Sequence, residues 1–304
     1  MVAVAGELRL LSATGDAEGI TSSSTVLGQP QTAVHDLAWC AASGYEQYLA
    51  AAGDDGTVQL WDLEPADGSA PRYRALRLGA SVQTVAFHAR VPKLLLAVDA
   101  CGVGRLIDWL ASLAPHVHDV QSAGSFSDPA TVAAHAAQGV ETRAQAAWQA
   151  QDADVFGAVL GARWCVWNVA QSPHPVLSGA LSGGTPPTRG FFAFAPTNAR
   201  LLAVGSGAGG AAGAAGVAGG TGGAAGVQLV DTAFPQSPRP VDVHAQAAQV
   251  PGAVDLAATG AGGGAAVRAS AYGVAGAAWL PQRVGAYDVL LVAIGTRVVP
   301  IPAT

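Results

Sequence analysis

Apolar residues alternate with polar ones over short stretches along most of this chain, and glycine, aspartate or proline separates one stretch from the next. The clearest case runs from Tyr48 to Leu63. An apolar run over 48–52 leads into Gly53-Asp54-Asp55-Gly56, after which Val58, Leu60 and Leu63 alternate with Thr57 and Gln59. Aspartate and glycine tolerate left-handed backbone angles, so the pattern predicts two half-buried strands around a tight turn. The second strand closes on Trp61-Asp62.

The same arrangement returns along the sequence. Each unit has a short strand ending in an aromatic residue, a strand of small apolar residues, a turn, and a third strand ending at Trp-Asp or an equivalent, which is the mark of a WD-repeat propeller blade. The first full unit covers 34–39, 48–52 and 57–63, with 73–78 as an outer strand. The second covers 82–88, 93–98 and 104–109, with 116–120 outside, and its terminal pair reads Asp108-Trp109, an inversion. The third covers 146–148, 155–160 and 163–168, where Asn168 follows Trp167 in place of aspartate. The fourth covers 190–194, 201–204 and 227–231, ending at Asp231, with 240–243 outside. The fifth covers 274–279, 289–294 and 296–301 and lacks the terminal pair. First strands therefore end in Trp39, Phe87, Trp148, Phe194 and Trp279. Together with Asp55, Trp61, Asp62, Asp108, Trp109, Trp164, Trp167 and Asp231, these are the repeat positions.

The expected fold is all-β: a single WD-repeat β-propeller over 1–304, with about five full blades and one partial blade. Residues 1–4 and 7–11 read as the second and third strands of a further blade, so the chain opens in mid-blade. Either the C-terminal segment supplies the missing strand or an N-terminal piece is missing, and the second is the expectation. Propellers commonly act as surfaces that hold partners.

Composition narrows the classes. At 304 residues, 50% hydrophobic and 12% charged, the chain can bury a sizeable core and is too apolar for a disordered protein. Its mean hydropathy of +0.33 reflects alanine and valine. Every apolar run breaks well before the roughly 20 residues of a spanning helix, so no membrane insertion is expected. Glu7 and Arg9 stand where a secretory signal would carry an unbroken apolar stretch, so none is expected. Cys40, Cys101 and Cys165 are far apart and odd in number, which argues for buried thiols in a reducing compartment and against zinc. No metal or other cofactor is expected. The net charge is -6, Lys93 is the single lysine, and the arginines are scattered, so no basic stripe is present to follow a phosphate backbone.

Three segments interrupt the repeat, at about 121–145, 205–226 and 245–270. In the first, Ser127 or Asp128 is placed to cap a short exposed helix with Pro129 in its first turn and a break at Gly139. The second is nearly all glycine, alanine and valine and is expected to be mobile. Its Gly205-Ser206-Gly207-Ala208-Gly209-Gly210 formally matches a dinucleotide-binding pattern, but so much glycine cannot readily form the helix whose amides would face the phosphate. A low-complexity loop is the better reading.

Catalytic constellations are thin. Gly-x-Ser-x-Gly, His-Glu-x-x-His and Gly-x-x-x-x-Gly-Lys are all absent. Alternation puts His116 and His118 on one face of an outer strand with Asp119 opposite, and it separates His35 from Asp36 in the same way. Asp55 has a structural role open to it, fixing the turn through backbone amides. Trp61, Trp109 and Trp167 offer an aromatic cage for a methylated cation, but their repeat positions favour packing between blades. The expectation is a non-enzyme with no small-molecule substrate and no direct nucleic-acid contact.

One family resemblance goes beyond the repeat. Residues 81–108, followed by Leu110-Ala111, resemble the strand, His, Lys-Leu-hydrophobic-Val-Ala, Gly and Arg-aromatic-Asp succession of a WD-repeat nucleoporin family of about 37 kDa. Val155-Phe156-Gly157-Ala158-Val159, then Trp164-Cys165-Val166-Trp167-Asn168-Val169 and Ser172-Pro173-His174-Pro175, form its most specific run. Phe234-Pro235-Gln236 and Gly276-Ala277-Ala278-Trp279 follow in the same order. The likeness covers roughly 24–304 with the inserts left out. It departs from the family in the glycine-alanine inserts, at Asn168, and in the absence of a counterpart for the first of about seven blades.

The resemblance implies a non-catalytic scaffold subunit of the Y-shaped complex of the nuclear pore, at the nuclear envelope. Its partners would be other nucleoporins, chiefly the large propeller-solenoid subunit of a short arm. Protein and messenger RNA transport would then depend on it indirectly. The alternative is a generic WD-repeat adaptor such as a ubiquitin-ligase substrate receptor.

Overall fold

The computed structural model describes residues 2–4, 7–16, 19–28, 32–88, 90–113, 120–139, 142–181, 189–207, 227–241, 274–294 and 297–303. Most of them lie in six antiparallel meanders, in which each strand pairs with its neighbour in sequence. The first sheet holds β1 (Val2–Val4), β2 (Glu7–Asp16) and β3 (Gly19–Gly28). The second holds β4 (Val34–Trp39), β5 (Tyr48–Gly53), β6 (Thr57–Asp62) and β7 (Arg72–Arg77). In the third, β8 (Val82–Phe87), β9 (Leu94–Asp99) and β10 (Val103–Asp108) are followed by a one-turn helix α1 (Trp109–Ser112) and by β11 (Ser122–Ser127).

A longer helix, α2 (Pro129–Gln138), leads to the fourth sheet: β12 (Ala144–Trp148), β13 (Val155–Leu160), β14 (Arg163–Asn168) and β15 (Leu177–Ala180). The fifth holds β16 (Arg189–Phe194), β17 (Leu201–Gly207), β18 (Val227–Asp231) and β19 (Arg239–Val241). The sixth holds β20 (Val274–Trp279), β21 (Asp288–Ile294) and β22 (Arg297–Ala303). The fold is all-β, built from the kind of four-stranded meander that propellers repeat.

Several details differ from the sequence reading. The outer strand of the third sheet is Ser122–Ser127, not 116–120, and 114–119 lie outside the described residues. The segment taken as an insert over 121–145 therefore begins and ends in strand, with α2 between. Gly205 to Gly207 extend β17, while 208–226 and the 245–270 insert lie outside the described residues. The first sheet gains β3, and the fourth gains β15. Both new strands are weakly alternating and rich in serine, glycine or alanine, so periodicity did not reveal them.

Local chemistry sets the turns and the helix. Gly56 has φ 78°, a left-handed angle that glycine adopts without a Cβ penalty. Asp55 Oδ1 accepts from Thr57 N at 3.1 Å and from Thr57 Oγ1 at 2.6 Å, joining the turn to the first residue of β6. Asp128 caps α2 by accepting from Thr131 N at 3.1 Å, Pro129 takes the first helical turn, and Gly139 ends the helix at φ 63°. Arg163 Nε bonds the same Asp128 carboxylate at 3.0 Å, which ties the helix cap to β14. In the second, third and sixth sheets the first strand carries a bulge at its second residue, at Val34/Asp36, Val82/Thr84 and Val274/Gly276.

The chain divides into two compact units, and the boundary runs through the third sheet. Within the first, Leu8 and Leu27 meet Leu49, Ala51 and Trp61, and the other face of the second sheet (Ala50, Ala52, Val58, Leu60) packs on Val82, Leu95 and Ile107. Within the second, Val159, Trp164 and Val166 pack on Phe192, Leu202 and Val230, while Ala203, Val227 and Leu229 pack on Leu290, Val292 and Ile301. Apolar layers between sheets are thus the core, and alternation supplies each sheet with two apolar faces.

Candidate functional site

The aromatic ends of the first strands each belong to a cross-strand row of their sheet. In the second sheet Trp39 pairs with Leu49, Leu49 with Trp61 and Trp61 with Tyr73. The fourth sheet runs Trp148, Phe156, Trp167, the fifth Phe194, Leu202, Val230, and the sixth Trp279, Leu290, Ile301. Phe87 pairs with Leu95 in the third. Every first strand named above therefore ends at the same register. Phe156 and Trp167 stack at 4.9 Å and 10°, with Trp148 edge-on to Phe156 at 5.4 Å. Trp39 and Tyr73 close their row 43% and 45% exposed, whereas Trp61 is buried.

The polar residue that ends the third strand has a shared task in the third, fourth and fifth sheets. Asp108 Oδ1 accepts from Ala111 N at 3.0 Å, Asn168 Oδ1 from Ala170 N at 3.0 Å, and Asp231 Oδ1 from Ala233 N at 2.8 Å. Each closes the turn that leaves its strand, and an amide oxygen serves as well as a carboxylate. Asp62 holds the same place on β6 with its Oδ1 buried and unpaired. Asp108 ends β10 as Asp62 ends β6, so Asp108-Trp109 is not an inversion: Ile107 takes the tryptophan slot and Trp109 begins α1. Trp109 instead sits among Tyr48, Phe87 and Tyr45 and donates Nε1 to Pro92 O at 2.6 Å.

The structure does not join Trp61, Trp109 and Trp167 in a cage. Each is buried in the packing of its own sheet or helix. Trp164, also buried, lies against Gly179, where a Cβ would stand 2.6 Å from the indole.

A polar cluster in the first unit escaped sequence reasoning because its members are far apart in sequence. Asp54 Oδ1 lies 3.0 Å from His35 Nε2 and accepts from Ser81 Oγ at 2.9 Å, and Gln83 Nε2 donates to Ser81 Oγ at 2.9 Å. Ser81 Oγ is 3.4 Å from His35 Nε2 as well. A proton relay places its acid and its nucleophile on different imidazole nitrogens, and here both face Nε2. The cluster joins the β5–β6 turn to the segment that opens the third sheet. Next to His35, Asp36 is the second tie between these sheets: Oδ2 accepts from Thr84 Oγ1 at 2.6 Å and Val85 N at 3.1 Å. Burial raises the Asp36 pKa, against the lowering effect of those bonds and of Leu37 N.

In the second unit, the loops that join first and second strands are bonded side to side. Gln149 Nε2 donates to Ala199 O at 2.5 Å, and Gln151 Nε2 donates to Pro196 O. Thr197 Oγ1 donates to Asp288 Oδ1 at 2.5 Å, and Arg283 Nε donates to Thr197 Oγ1 at 2.8 Å. Thr232 N reaches Arg200 O at 2.7 Å, adding the loop that carries Phe234, which is 68% exposed. An exposed aromatic on a braced loop is a suitable anchor for a protein partner.

Burial also pushes the Cys165 thiol up to about 12 and raises that of Cys40. Among the described residues no group of three His, Cys, Asp or Glu side chains is placed to hold a metal, and no helix is long and apolar enough to cross a membrane. His116, His118 and Asp119 lie outside the described residues. No family model matches the chain, and no curated protein matches its sequence.

Proposed function

We propose that this chain is a WD-repeat β-propeller protein acting as a non-catalytic scaffold subunit of the Y-shaped complex of the nuclear pore. The observation that carries the scaffold reading is the register: first strands of successive sheets end in an aromatic residue at the same cross-strand position, and turn-closing Asp108, Asn168 and Asp231 occupy one slot. A repeated sheet of this kind gives rigid loops for contact with partners. The polar clusters brace sheets and loops, with side chains bonded to backbone and to one another. The assignment to the pore rests on the sequence run from Val155 to Pro175, whose strands and turns the fourth sheet contains. In this reading the chain docks on the large propeller-solenoid nucleoporin of a short arm and supports transport through assembly of the coat.

The test is affinity purification of the tagged chain from its native cells, with quantitative mass spectrometry. Recovery of the Y-complex subunits in near-equal amounts is the expected result. Recovery of cullin adaptors in their place would favour the ubiquitin-ligase alternative and overturn the pore assignment.

A further inference from the structure

A short motif recurs almost unchanged in the fourth and fifth sheets. Gln171-Ser172-Pro173-His174-Pro175-Val176 follows β14, and Gln236-Ser237-Pro238-Arg239-Pro240-Val241 follows β18, so both lie on the way from the third strand to the fourth. Only the residue between the two prolines differs. Proline restricts the residue before it to extended backbone angles, the conformation in which a protein kinase reads its substrate. Each segment therefore offers a serine hydroxyl already set for a proline-directed kinase.

The structure separates the two serines. Ser172 is half-buried, and its Oγ accepts from His174 N at 2.9 Å. Its own N–H donates to Asn168 O at 3.2 Å, Gln171 N donates to the same oxygen at 3.1 Å, and Pro173 O accepts from Ser127 N at 3.0 Å. The segment then joins a ladder, beginning with Val176 N on Val166 O at 2.8 Å. Bonds on both sides hold Ser172 in place, and a kinase cleft can take it only after they have opened.

Ser237 lacks this bracing. It is exposed, and among the described residues its hydroxyl has no hydrogen-bond partner. Its N–H closes the Pro235 turn on Phe234 O at 3.0 Å. Beyond it, β19 is the outermost strand of its sheet and spans three residues with Pro240 at the centre. Proline has no N–H to give a ladder, and short edge segments open locally at little free-energy cost. The strand can therefore leave its sheet and let Ser237 and the residues after it extend along a kinase cleft.

We propose that Ser237 is a phosphorylation site for a proline-directed serine kinase and that Ser172, in the same motif, is not. In the transfer, Ser237 Oγ attacks the γ-phosphorus of ATP, the bond from that phosphorus to ADP breaks, and the hydroxyl proton passes to the catalytic aspartate of the kinase. The product carries about two negative charges in the same turn as the exposed Phe234. Charge beside an apolar anchor opposes its burial in a partner, so the phosphate releases what the loop holds. This role in docking rests on the scaffold reading above, whereas the modification itself does not.

For the test, the folded full chain is incubated with ATP and a purified mitogen-activated protein kinase, and quantitative mass spectrometry follows phosphate at Ser237 and Ser172. Each rate is divided by that of a free peptide of the same sequence, which removes the preference of the kinase for neighbouring residues. At Ser237 the folded chain should react nearly as fast as its peptide, and at Ser172 at least about tenfold more slowly than its own. Pro238→Ala should abolish the signal at Ser237. Equal ratios at the two serines, or no phosphate at Ser237 in the folded chain, would overturn the proposal. The phosphorylated chain is then compared with the unphosphorylated chain as bait in an extract of the native cells. Recovery of bound proteins should fall roughly tenfold with the phosphate, and Phe234→Ala should remove the difference between the two states. Equal recovery by both states of the unsubstituted chain would overturn the role in docking. Cullin adaptors released by the phosphate, in place of nucleoporins, would overturn the pore assignment alone and leave Ser237 as the switch.

Discussion

Gly157 of β13 lies directly under the ring of Phe192 of β16, and a Cβ at residue 157 would occupy the space of the ring. The contact fixes how closely the fourth and fifth sheets approach. Gly157→Ala should therefore force Phe192 aside and destabilise the chain by about 1–3 kcal/mol, the usual cost of overpacking. Chemical denaturation measures this, and Phe192→Leu in the same chain should restore part of the loss.

Asn168 tests whether the terminal slot of the third strand needs charge or only an acceptor. Its Oδ1 closes the turn at Ala170 N, so Asn168→Asp should leave the unfolding midpoint nearly unchanged. Asn168→Ala should cost about 1 kcal/mol through loss of the acceptor.

Asp128 joins the N-terminus of α2 to Arg163. Asp128→Ala removes both links and should destabilise by about 1–2 kcal/mol, in line with loss of a helix cap. Amide exchange over 129–138 should accelerate, with β13 and β14 exchanging as slowly as before. Uniform acceleration across the fourth sheet would show that the cap supports more than the helix.

Asp36 gives a pH dependence with a definite sign. Burial raises its folded-state pKa above 3.8, so between 3.8 and the raised value the folded chain holds a proton that the unfolded chain has released. Stability from this group is fully present below pH 3.8 and falls as pH rises through the folded pKa. Denaturation midpoints measured from pH 3 upward should therefore fall less steeply with rising pH in Asp36→Asn than in the wild type.

Much of this architecture was legible in the sequence. Aromatic residues at 39, 87, 148, 194 and 279 placed the ends of five first strands, because one bulky residue at a fixed distance from a turn survives as a signal where propensity is weak. Pro129 after Asp128 located the helix for a similar reason: both have strong local preferences. The signal failed where spatial neighbours set the structure. β11 and β15 carry serine and glycine, and they are held by ladder bonds to partners that local pattern does not name. His35, Asp54 and Ser81 converge only after two sheets have packed, and alternation gave His35 a face but no partner.

Imaging the fluorescently tagged protein at its native level separates the proposed pore scaffold from a generic adaptor. A punctate rim around the interphase nucleus, coincident with a marker of the pore, is the predicted result. A diffuse signal through the cytosol and nucleoplasm throughout interphase would contradict it.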